Sequence, residues 1–113
     1  MKKVLIVFFL ILLVSMSLTA NGEQESGGKI KIGLAANNYN DKWMSYVREA
    51  MANQIEKYPD YELVSVDAKE DVATQINQIE NLINMGIEGL ILLPVSADMK
   101  PAVIACEEAG IPV

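Results

Sequence analysis

The sequence has 113 residues, nine Lys and Arg against fifteen Asp and Glu, a formal net charge of −6 and no histidine. That length allows one domain at most, and the missing imidazole removes His-liganded metal sites, Ser-His-Asp and Cys-His nucleophiles and imidazole acid–base chemistry. The acidic balance argues against nucleic acid as a partner, and the single cysteine, Cys106, can form neither an internal disulfide nor a thiolate metal cluster.

Met1-Lys2-Lys3 is a basic start, and Val4 to Val14 is an unbroken apolar run followed by Ser15-Met16-Ser17-Leu18-Thr19-Ala20. This pattern reads as a secretory signal peptide over residues 1–20, cut after Ala20 or Gly22. The apolar run is short for a membrane span, which needs about twenty residues. If it is retained as an anchor instead, the remainder becomes the extracellular sensing domain of a membrane receptor. Residues 21–28, Gly-rich and polar, form a linker to a domain over residues 29–113.

Lys29 to Ala36 alternates and then turns apolar, which suits a first strand. Asn37 to Asn40 is a loop. Asp41 to Tyr58 reads as a helix, with Asn40 or Asp41 as its N-cap and Met44, Val47, Met51 and Ile55 as one apolar stripe. Pro59 stops it. Tyr61 to Val66 is a second strand and Asp67 to Asp71 a charged loop. Val72 to Met85 is a second helix with Val72, Ile76, Ile79, Leu82 and Ile83 on its apolar face, Gln75 and Gln78 off that face, and Gly86 as its stop. Glu88 to Leu93 is a third strand, apolar enough to be buried on both faces. Asp98 to Ala109 is a third helix, with Pro101 in its first turn and Gly110 after it. Ile111 to Val113 opens a fourth strand.

Strands alternating with helices predict an α/β fold with an open parallel sheet and right-handed crossovers, truncated at its fourth strand. An unfinished sheet edge of this kind is expected to be marginally stable.

Ligands of such sheets bind outside the C-terminal ends of the strands. The loops there carry Asn37, Asn38, Asn40, Asp41, Asp67, Glu70, Asp71, Ser96 and Asp98, with Trp43, the only tryptophan, beside the first. No glycine follows strand one, which disfavours a phosphate-binding loop. Asp41 and Asp67 as a glycosidase pair is a minor alternative, because nothing in the sequence fixes their separation. A carboxylate, several amides and one indole fit a neutral polyol. Its hydroxyls bond to carboxylate and amide groups, and the apolar face of a sugar ring packs on the indole.

The ordered set Lys31-Ile32-Gly33-Leu34, Tyr39-Asn40-Asp41-Lys42-Trp43-Met44-Ser45, Asp67 through Asp71, Gln75, Gln78-Ile79, Leu82-Ile83, Gly86-Ile87-Glu88-Gly89, Pro94, Asp98 and Ala109-Gly110-Ile111-Pro112-Val113 resembles the periplasmic sugar-binding proteins of ABC transporters. The resemblance covers essentially the whole chain after the leader. It implies the N-terminal domain of a type I clamshell fold, exported to the periplasm, most similar to the glucose/galactose-binding members. It further implies that Asp41 bonds sugar hydroxyls and that Trp43 stacks on the ring; Asn40, a turn residue beside them, is a further candidate ligand contact. Met44 matches a second aromatic position and is not expected to touch the sugar.

The implied partners are a monosaccharide, the importer's inner-membrane permease and a chemoreceptor; no enzyme activity, cofactor or metal is implied. Leu93 departs from the family, which usually carries a polar residue there, and one expected bond to the sugar is missing. Cys106 reads as a buried small hydrophobe.

Overall fold

The computed structural model describes residues 28–113; the leader and all but the last residue of the linker lie outside them. The elements are β1 (Ile30–Ala36), α1 (Lys42–Ile55), β2 (Tyr61–Asp67), α2 (Val72–Asn84), β3 (Gly89–Leu92), a 3₁₀ turn (Ala97–Met99) and α3 (Lys100–Glu108). The three strands form one parallel sheet in the order β2–β1–β3. In register, Ile30 pairs with Tyr61 and Ala36 with Asp67, while Ile32 pairs with Gly89 and Ala35 with Leu92.

Residues 111–113 form no regular strand. The Leu90 N–H donates to the Pro112 carbonyl at 2.9 Å, so these residues lie beside β3 with one backbone bond in place of the expected fourth strand. The third helix starts later than its sequence suggests. The Ser96 hydroxyl accepts from the Asp98 N–H, and Ala97 to Met99 coil as a tighter 3₁₀ turn before Pro101 enters the first turn of α3. Helix α1 ends three residues before Tyr58, where Lys57 and Tyr58 donate back to the Gln54 and Ile55 carbonyls.

Alternation along β1 divides the molecule into two faces. Ala35 faces a core with Ile79 and Leu82 of α2, Ile87, Leu90, and Met99, Ala102, Cys106 and Ile111 around α3; Val64 and Val66 of β2 pack against it. Cys106 is fully buried, as its sequence setting predicts. The opposite face carries α1, whose Met51 and Ile55 line an apolar groove with Ile32, Leu63, Tyr58, Tyr61 and Ile91.

Both α2 and α3 end in the same device. Gly86 and Gly110 adopt left-handed φ of 79° and 71°. Each glycine N–H bonds one turn back, to Ile83 and Glu107, and the next residue, Ile87 or Ile111, bonds to Leu82 or Cys106. These are Schellman ends, and each drops an isoleucine into the core.

Gly33 is required by close approach. A methyl group there would lie 3.1 Å from Ile87 Cδ1, 3.1 Å from Leu90 Cδ1 and 3.2 Å from Leu82 Cδ1. All three neighbours are buried, so none has free space to retreat into. Gly33→Ala is therefore expected to cost about 1–3 kcal/mol, read as a lower urea midpoint with an unchanged slope.

Candidate functional site

The C-terminal ends of β1, β2 and β3 release three loops on one edge of the sheet: 37–41, 68–71 and 93–96. A single buried side chain ties two of them together. Gln75 of α2 is fully buried, the one polar side chain in the described core. Its Nε2 donates to the Leu93 carbonyl at 2.9 Å and to the Ala35 carbonyl at 3.3 Å, and its Oε1 accepts from the Val95 N–H at 2.8 Å. The helical pattern places Gln75 off the apolar face. The structure corrects that, because the backbone groups where β1 and β3 part need a partner that water cannot supply there. Gln78, on the next turn, donates to the Asp67 carbonyl at 2.8 Å.

The first loop is anchored to the second by Asp67. One oxygen, Oδ1, accepts from the Tyr39 N–H at 3.1 Å and the Lys69 N–H at 3.0 Å. The cap of α2 is Asp71, which accepts from the Thr74 N–H; the Thr74 hydroxyl and this N–H together hold its carboxyl below its ordinary value. Asn38 spans the same gap, donating through Nδ2 to Glu70 Oε1 at 2.9 Å and accepting from the Asn40 N–H at 2.9 Å.

Asp41 caps α1 as its sequence position predicts. Its Oδ1 accepts from the Trp43 N–H at 2.7 Å and the Met44 N–H at 3.2 Å. Among the described residues nothing binds its Oδ2. Trp43 follows in the first turn and is 61 % exposed, so its ring is not core, whereas Met44 turns inward and is fully buried. Asn40 is exposed on the loop before them, with its N–H engaged by Asn38 and its side chain facing solvent. The structure thus brings Asn40, Asp41 and Trp43 to one edge of the sheet. Within four residues they offer a carboxylate oxygen, an amide and an exposed indole, groups suited to holding hydroxyls and C–H faces.

Tyr39 lies beneath Arg48 of α1, the guanidinium carbon 3.5 Å above the ring centre. Its hydroxyl is buried and without a hydrogen-bond partner, like Asn37 Oδ1 and Gln78 Oε1. Burial pushes the phenol above its ordinary value of 10.0, with the Arg48 charge opposing.

The described residues 32–113 match the periplasmic binding protein domain family, and the chain belongs to that family. It is 42% identical over 64 residues to the xylitol-binding protein of Mycolicibacterium smegmatis, a match covering 56% of this chain and 17% of that one. Among solved structures, an ABC transporter solute binding protein from Bacillus halodurans with bound myo-inositol superposes with a TM-score of 0.71 at 31% identity, over 78% of this chain and 31% of that one. Another from Clostridium phytofermentans, with bound β-D-glucose, gives 0.66 at 26% identity, over 72% and 25%. The chain therefore spans between about a sixth and a third of the length of these relatives.

Two outcomes follow from this geometry. Removing the cap in Asp41→Ala is expected to cost about 1 kcal/mol of stability, with Asp41→Asn close to the parent, both read from thermal midpoints. Tyr39 contributes stability while neutral, which is lost as the pH rises through its raised value. Stability should fall as the pH rises above 10.0, and Tyr39→Phe should reduce that fall without lowering the midpoint at neutral pH.

Proposed function

We infer that this member of the periplasmic binding protein family is the ligand-capturing part of an exported solute-binding protein that holds a neutral polyol and hands it to the permease of an ABC importer. Within that class we assign it a monosaccharide of the glucose/galactose type. The observation that carries the reading is the pairing of Asp41 and Trp43 on the first turn of α1. The cap uses one carboxylate oxygen and fixes the side chain's direction, so the other is presented with little further loss of freedom. The exposed indole beside it supplies the apolar face. A pyranose has both surfaces that this pair needs, ring hydroxyls and a C–H face. The relatives add support: their ligands are xylitol, myo-inositol and β-D-glucose, all uncharged and hydroxyl-rich. Leu93 offers no side-chain hydrogen bond at the third strand end, so recognition there depends on backbone groups.

Trp43 is the only tryptophan in the sequence, so emission excited beyond the tyrosine absorption band reports this site alone. Titration of residues 21–113 with D-glucose and D-galactose should give a saturable spectral change in the millimolar range, since a one-sided site leaves much of the sugar in water. Asp41→Ala should weaken it by about tenfold or more, the scale of a hydrogen bond to a charged group. No saturable change, or one that survives Asp41→Ala, contradicts the polyol reading. Tighter binding of xylitol or myo-inositol than of either hexose contradicts the glucose/galactose assignment alone.

A further inference from the structure

Lys69 and Glu70 both adopt left-handed backbone, with φ of 51° and 64°, and neither is glycine. Between them they form the centre of a tight turn closed by the Asp71 N–H on the Ala68 carbonyl at 3.0 Å. Each such residue carries a steric cost, and such costs persist only where surrounding contacts over-determine the backbone. The contacts here all run to the loop that precedes Asp41. The Glu70 N–H donates to the Asn37 carbonyl at 2.8 Å. Glu70 Oε1 accepts from Asn38 Nδ2, and Asn38 Oδ1 in turn accepts from the Asn40 N–H. Asp67 Oδ1 joins the Tyr39 and Lys69 N–H groups. Asn37, Asn38 and Asn40 are therefore held, directly or through Asn38, by the turn that follows β2, and Tyr39 by Asp67 at the end of that strand.

We propose that Glu70 is a positioning residue for the polyol site: its strained turn and its bond to Asn38 fix the Asn37–Asn40 loop and so set where Asp41 and Trp43 stand. The side chain acts through Asn38 and Asn40 and does not touch the ligand. The proposal rests on the polyol reading for its functional consequence, but the loop it fixes can be observed without any ligand.

The test uses Glu70→Gly and Glu70→Gln, because glycine tolerates φ of 64° and glutamine keeps the acceptor. Glu70→Gly should have a thermal midpoint equal to or above the parent. It should nevertheless exchange the Asn40 amide proton about fivefold or more faster and bind D-glucose about fivefold more weakly by Trp43 emission. Glu70→Gln should restore both towards parental values. A merely structural residue would instead lose midpoint and affinity together. Unchanged Asn40 exchange in Glu70→Gly overturns the proposal, as does a Glu70→Gln variant as defective as Glu70→Gly. If the parent shows no response to sugar, the polyol reading falls, and Asn40 exchange still decides whether Glu70 fixes the loop.

Discussion

The arrangement at the top of the sheet depends on one neutral amide. Parallel strands stay paired while their backbones face each other, but β1 and β3 must part where their loops leave in different directions. That parting takes the Leu93 carbonyl and the Val95 N–H out of the ladder at a part-buried place, and leaves the Ala35 carbonyl with a bond from the Leu93 N–H. Gln75 answers all three with one side chain, donating twice and accepting once. A carboxylate there could accept but not donate, and an aliphatic side chain would leave the Leu93 carbonyl and the Val95 N–H unpaired, each costing about 1–3 kcal/mol, while the Ala35 carbonyl would keep only its bond from the Leu93 N–H. The sheet order β2–β1–β3 makes this the crevice where chain direction switches, the place where open α/β sheets take their ligands. Gln75 thus closes the floor of the crevice, and the loops above it carry the recognition groups.

Those residues divide the work. Asp67 binds backbone, Asn38 binds the Glu70 carboxylate and the Asn40 N–H, Asp41 spends one oxygen on its helix and keeps the other, and Trp43 spends nothing on the core. The groove on the α1 face has the opposite character. Its lining of Ile32, Met51, Ile55, Leu63 and Ile91 is aliphatic, with side-chain polar atoms only from Gln54 and the Tyr58 and Tyr61 hydroxyls, and it sits toward the start of the strands. A polyol would lose its water there and gain few hydrogen bonds in return. The strand-end loops and this groove therefore differ in chemistry as well as in position.

Much of this is legible in the sequence, for identifiable reasons. The β-α alternation follows from hydrophobic period, and the starts of β1 and β2 and both glycine stops fall within a residue of expectation because local chemistry sets them. Asp41 reads as a cap from its place before an apolar stripe, and the same place puts it at the strand ends. Gln75 was hidden because a polar residue on an amphipathic helix reads as solvent-facing, and only the tertiary contact of α2 with two diverging strands reverses that. Asp67 and Asp71 look alike in a charged loop, yet one bridges two loops and the other caps a helix, a difference set by which backbone N–H groups come within reach. The left-handed pair Lys69-Glu70 carries no glycine or asparagine to announce it, since the loop opposite enforces it.

The central claim is that the chain presents its ligand groups at the strand ends between Asn37 and Met44, on a floor closed by Gln75. Amide chemical-shift mapping of residues 21–113 during titration with D-glucose tests it most directly. The account predicts shifts concentrated in Asn37 to Met44 and in Val95 to Met99, with Tyr58, Tyr61 and Ile91 unmoved. Shifts concentrated around Tyr58, Tyr61 and Ile91, with the Asp41 and Trp43 amides unmoved, would contradict it.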